Sequence, residues 1–86
     1  MNTREAVVQR IEELRDQRKT ANGKPWTNNH LALDAGIPQS TLKSIMNGES
    51  RNPGIVNIKI ICDSLGVSLA EFFNTDTFRN LPQEIE

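Results

Sequence analysis

Thr27-Asn28-Asn29-His30-Leu31-Ala32-Leu33-Asp34-Ala35-Gly36-Ile37-Pro38-Gln39-Ser40-Thr41-Leu42-Lys43-Ser44-Ile45-Met46-Asn47-Gly48 reads as two short helices joined at a glycine. Thr27 carries N-cap chemistry ahead of Leu31, Ala32 and Ala35, because its hydroxyl can accept from the unpaired N–H groups of a first helical turn. Gly36 stands where a left-handed residue ends a helix, which predicts a helix over 28–35. Pro38 suits the first position of the next helix, Leu42 and Ile45 repeat on one face, and Asn47-Gly48 supplies the stop. That predicts a helix over 38–47, separated from its predecessor by only a tight turn.

Upstream, Val7, Ile11, Leu14 and Arg18 fall at spacings of four, three and four with charged residues between them, the stripe of an amphipathic helix over 4–18. Asn2 with Glu5 is a loose capping box for it. Thr20–Trp26 contains Asn22-Gly23 and Pro25, which predicts a loop. Downstream, Asn52-Pro53-Gly54 marks another loop, and Ile55, Ile58, Ile61, Cys62 and Leu65 precede Gly66. The Ile and Val there would suit a strand, but the length, the three-and-four spacing and the glycine favour a helix. Ser68 with Glu71 is a capping box opening a last short helix that carries Leu69, Phe72 and Phe73. Beyond Asn74, Phe78, Leu81 and Ile85 are spaced by three and four with Pro82 between them, as in a tail that folds back or docks on a partner. The expected organisation is a domain over 1–74 and a C-terminal tail over 75–86. Its expected core is Val7, Ile11, Leu14, Leu31, Ala32, Ile37, Leu42, Ile45, Ile58, Ile61, Leu65, Leu69 and Phe72, with burial also expected for Trp26 and Cys62.

Composition narrows the function classes. The chain has 86 residues, enough for one small core. The charged segment Met1–Arg15 does not read as a signal peptide, and no apolar run approaches the roughly 20 residues that span a bilayer. Cys62 is the only cysteine and His30 the only histidine, so neither a disulfide nor a zinc cluster is expected. Without a glycine-rich phosphate loop, or a nucleophile beside a base, an enzyme is not expected either. The net charge is -1, yet seven basic residues (Arg15, Arg18, Lys19, Lys24, Lys43, Arg51, Lys59) face three acids between 15 and 59, a local balance of +4. Such a basic segment is the electrostatic footprint expected of phosphate binding.

Two short helices around a tight glycine turn form a helix-turn-helix, which holds its second helix out so that an exposed edge can enter a major groove. Geometry of this kind also occurs in helical proteins that never meet DNA. The whole run Thr27–Gly48, however, resembles the core of the lambda-repressor-like (Cro/C1-type, XRE) helix-turn-helix family. The likeness extends to Ile11-Glu12-Glu13-Leu14-Arg15, to the loop Arg51-Asn52-Pro53 and to Leu65–Phe73, covering about residues 7–73. It implies an all-α, compact five-helix domain that binds double-stranded DNA of defined sequence, a transcriptional regulator, expected to be a repressor, working in the cytoplasm as a homodimer without cofactor or metal.

The resemblance places Gln39, Ser40, Lys43 and Ser44 against base edges. Their chemistry is suited to such contacts, since Gln bonds adenine bidentately, Lys reaches guanine acceptors, and Ser donates or accepts. On a bland reading they are polar residues on a solvated helix face. Phosphate contacts are expected from Thr27 and Asn28, where a helix N-terminus favours an anion, and from Arg51 and Asn52 in the following loop. Thr41, Asn47, Lys24 and Arg15 complete the expected phosphate set. Three features depart from the family pattern. Thr20–Trp26 is longer than the usual connection, so Lys24 is there to reach a phosphate or the insertion serves to bury Trp26. Met46 stands where many relatives carry a glutamate that pairs with the arginine matching Arg15, leaving Arg15 for a phosphate or Asp16. The chain is also acidic overall. The rival reading is a protein-interaction module, such as an antitoxin-like partner of another protein, for which Val56 and Ile60 would supply an apolar patch.

Overall fold

The structure is a computed structural model that describes residues 1–49 and 52–84. Among these residues six helices follow one another: α1 (Thr3–Asp16), α2 (Asn28–Ala35), α3 (Gln39–Met46), α4 (Ile55–Leu65), α5 (Leu69–Phe73) and α6 (Asp76–Arg79). Among the described residues there is no strand; an isolated antiparallel bridge joins Lys19 and Pro25. The segment at 55–65 is therefore helical, as its spacing predicts. The tail adds the one-turn helix α6 to the five expected. Among the described residues no helix is long and apolar enough to cross a membrane.

Local chemistry explains most boundaries. At α1 the Asn2 side chain accepts the Glu5 N–H at 2.8 Å while Glu5 accepts the Asn2 N–H at 3.0 Å, a complete capping box. The helix ends at Asp16, two residues short of the expected 18, because the Arg18 carbonyl is taken by the Trp26 N–H at 3.0 Å. Arg18 thus belongs to the connection and not to the stripe of α1. Pro38 precedes α3 instead of opening it: its backbone is extended (ψ 141°) and its carbonyl accepts the Leu42 N–H at 3.2 Å, the geometry of an N-cap. At α5, Ser68 and Glu71 cap each other reciprocally at 3.0 and 3.3 Å.

The core draws on every helix from α1 to α5: Val7, Ile11 and Leu14; Leu31 and Ala32; Leu42 and Ile45; Ile58, Ile61, Cys62 and Leu65; and Phe72, with Trp26 added from the connection. Ala6 is buried as well. Ile37 and Leu69, expected inside, are only partly covered; each lies beside a helix start, in or next to a turn, and packs on the core from its rim. Burial raises the Cys62 thiol above its ordinary value, helped by the negative charge of Asp63, so this cysteine stays protonated and behaves as a small hydrophobe.

Two arginines of α1 reach across to backbone carbonyls at helix ends. Arg10 donates to the carbonyls of Phe72 at 2.9 Å and Glu71 at 3.0 Å, fastening α5. Arg4 donates to the Gly48 carbonyl just beyond α3. The tail folds back over the same side: Phe78 meets Phe73 edge-on with centroids 4.9 Å apart and lies 6.0 Å from Phe72. Further along, the Thr3 N–H donates to the Glu84 carboxylate at 3.2 Å, and hydrogen bonds from Thr3 hold that carboxyl below its usual range.

Candidate nucleic-acid interface

Gly36 has φ 73° and ψ 28°, the left-handed conformation that turns the chain out of α2. A Cβ here would meet nothing within 4 Å, so the requirement for glycine comes from the dihedral and not from crowding. The Ile37 N–H donates to the Ala32 carbonyl at 3.1 Å and closes the turn. From Pro38 the chain enters α3 directly, so Gly36, Ile37 and Pro38 are all that separate the two helices.

Within α3 the side chains divide by face. Leu42 and Ile45 are 1% and 2% exposed and anchor the helix to the core. Gln39, Ser40 and Lys43 are exposed on the other side, at the i, i+1 and i+4 positions of one face, while Thr41 and Ser44 are half-buried at its margins. Gln39, Ser40 and Lys43 are therefore brought together at the solvent edge. Ser44 sits beside them with less freedom. The first turn of α3 has no side-chain cap, since Pro38 offers none.

A second group assembles at the start of α2. The Thr27 hydroxyl accepts the His30 N–H at 3.1 Å, so the capping role is filled while the residue stays exposed. Arg15 donates to the Asn28 side-chain oxygen at 2.5 Å and holds Asp16 through contacts of 3.1 and 3.3 Å. Lacking a glutamate at position 46, Arg15 has become the tie between the end of α1 and the first turn of α2. Thr27, Asn28 and Arg15 thus form one cluster, with the positive end of the α2 dipole behind it.

The remaining expected contacts are more scattered. Asn47 is exposed as the C-cap residue of α3. Asn52 is exposed, and its side-chain oxygen accepts the Gly54 N–H at 3.3 Å, shaping the approach to α4. Arg51 lies outside the described residues. Lys24 is exposed on the connection between α1 and α2, well away in sequence from the α3 group.

That connection is a built hairpin and not a slack loop. The Thr20 N–H donates to the Lys24 carbonyl at 2.8 Å, the Gly23 N–H to the Thr20 carbonyl at 2.9 Å, and Gly23 takes φ 79° at the tip. Trp26 anchors its base at 8% exposure, stacked on His30 with centroids 4.4 Å apart and covered by the Arg18 guanidinium at 4.9 Å. The sequence predicts the burial of Trp26 but does not point to Lys19 as a companion for Lys24 on the hairpin. Basic and proline residues flanking Asn22-Gly23 were the available signal. Arg4, which secures the end of α3, had none, because its acceptor is a backbone carbonyl remote in sequence.

The chain matches the Helix-turn-helix family over residues 11–72. Among solved structures it is similar to the crystal structure of the prophage Lp1 protein 11, with 33% identity and a TM-score of 0.74 over 94% of this chain and 100% of that one. No curated protein matches it.

Proposed function

This chain belongs to the lambda-repressor-like helix-turn-helix family of DNA-binding regulators, and we propose that it is a cytoplasmic, sequence-specific repressor that binds duplex DNA as a two-fold homodimer. The observation that carries this reading is the division of α3, with Leu42 and Ile45 sealed in the core and Gln39, Ser40 and Lys43 presented to solvent. A helix held rigidly by one face offers the other at a fixed angle, as base readout demands. Gln39, Ser40, Lys43 and Ser44 read base edges in the major groove. Thr27, Asn28, Arg15, Thr41, Asn47, Asn52, Arg51 and Lys24 hold phosphates. Residues 1–74 carry these contacts, and residues 75–86 are a tail.

The test starts by selecting bound duplexes from a random pool, which yields the preferred site and shows whether it is a two-fold repeat. On that site Gln39→Ala is expected to lose about 1–3 kcal/mol of binding and to relax preference at one base pair. Arg51→Ala should instead weaken all duplexes alike and flatten the plot of log affinity against log salt by about one unit for each protomer bound. Equal weakening of specific and scrambled duplexes by Gln39→Ala would mean that α3 does not read sequence.

A second reading, a protein-interaction module, draws on Ile55 and Val56, which are 60% and 69% exposed at the start of α4. Ile60, expected beside them, is half-buried, so the apolar patch is centred on Ile55 and Val56. The same patch suits a homodimer. A protein that selects no duplex, and shows no salt-dependent binding to one, would favour the interaction module.

A further inference from the structure

We infer that the hairpin between α1 and α2 is a preorganised cationic arm that grips DNA phosphates next to the base pairs read by α3, with Lys19 and Lys24 as its two contacts. The inference rests on the DNA-binding reading above, which already places Lys24 on a phosphate, and adds Lys19 and the preorganised hairpin that presents the two together.

The hairpin's construction is the first argument. Its three internal backbone bonds (Thr20 to Lys24, Gly23 to Thr20, Trp26 to Arg18), two of which make the bridge at Lys19 and Pro25, fix its shape, so little ordering cost is left for the moment of binding. Burying Trp26 requires only the base of the hairpin. It does not account for the ordered extension through Ala21, Asn22, Gly23 and Lys24.

Charge supplies the second argument. Arg18 is committed to structure: its guanidinium covers Trp26, and one of its nitrogens would lie 3.4 Å from a Cβ at Gly66, next to the negative end of the α4 dipole. Asp16, the only acid from 15 to 24, is occupied by Arg15. Lys19 and Lys24 are exposed and pair with no carboxylate among the described residues. Lys19 rests its ammonium on the Asp16 carbonyl at 3.0 Å, a single exposed contact that a phosphate oxygen can replace like for like. A chain whose net charge is -1 has few such cations, and two of them are held out on one rigid projection.

Position supplies the third. The hairpin leads through Trp26 straight into Thr27 and Asn28, the residues proposed to meet phosphate at the start of α2. Three extended residues reach about 10 Å beyond that point. This spans two or three phosphate steps, at roughly 3.4 Å of helix axis per phosphate on one strand. The partner is thus the backbone of the same duplex, and the contact carries no base information.

The experiment places a neutral methylphosphonate at each position along both strands of the selected duplex and measures binding by wild type, K19Q/K24Q and K19R/K24R. Expected are one or two phosphates per half-site whose neutralisation weakens wild type and K19R/K24R but leaves K19Q/K24Q unaffected. On the unmodified duplex, K19Q/K24Q removes two contacts from each protomer of the dimer, so its salt slope should be shallower by about four units, on the order of a hundredfold less sensitivity between about 50 and about 200 mM salt. Gln39→Ala should keep the same phosphate pattern. If K19Q/K24Q retains both the wild-type pattern and the wild-type slope, the arm does not touch DNA and the inference falls while the DNA-binding reading stands. If wild type binds no duplex, both fall together.

Discussion

The two connections on either side of α2 are opposite solutions to joining helices. After α2 the chain turns on Gly36 and enters α3 almost at once, so the angle between the helices is set by backbone dihedrals and by Leu42 and Ile45 in the core. Before α2 it makes a hairpin whose tip is free and whose base is pinned by Trp26. The first connection determines where α3 points and tolerates little change. The second positions nothing else in the core beyond its own anchor, which is why it can be long and carry charge.

Truncating the anchors tests how far that contrast extends inward. Trp26→Ala is expected to cost about 3–5 kcal/mol and Leu42→Ala about 2–5 kcal/mol, each a buried truncation and a large part of what so small a domain has to spare. Chemical denaturation followed by circular dichroism would measure both. The base of the hairpin is then as much part of the core as α3, and the difference between the connections is confined to the hairpin tip. A loss below about 1 kcal/mol for Trp26→Ala would place the whole connection outside the cooperative unit.

The glycines separate the two turns more finely. Gly36 and Gly23 have similar left-handed φ values, 73° and 79°, with open space where a Cβ would go, so alanine brings the same local strain of about 1–2 kcal/mol to each. At Gly36 that strain has no escape, because release would swing α3 off the core, and the full loss should appear in global stability. At Gly23 the hairpin tip can open locally, so the loss cannot exceed the tip's own stability and should be the smaller. Equal losses would show that the tip is as cooperative with the fold as the turn at Gly36.

The same contrast governs what could be read from the sequence. The helix-turn-helix pair was legible because each of its parts has a short-range cause: Thr27 caps its own helix, Gly36 supplies its own dihedral, and Leu42 and Ile45 mark their own face. Of the expected contacts, Gln39, Ser40 and Lys43 share a solvent face, and Thr27, Asn28 and Arg15 form one cluster. What escaped reading depends on groups far apart in the chain. Arg18 continued the stripe of α1 in sequence, but its place is set by Trp26, and the end of α3 is held by Arg4 from the other end of the domain. Ile55 continued the apolar stripe of α4, yet it lies beyond the reach of the core and is exposed.

The smallest expected effect is the sharpest test of the comparison. Lys19 and Lys24 lie on an exposed projection, and neither belongs to an ion pair among the described residues. Folding gains from Lys19 only its bond to the Asp16 carbonyl, where solvent competes on equal terms. From Lys24 it gains the backbone bonds to Thr20, which a glutamine at the same position would keep. K19Q/K24Q should therefore leave unfolding stability within about 0.5 kcal/mol of wild type. A loss of affinity without loss of stability is the signature of residues kept for a partner, and thermal and denaturant unfolding of the variant measure the second half of that statement. A drop of about 1 kcal/mol or more would mean that the lysines support the hairpin itself, and would assign the whole connection to holding Trp26 in place.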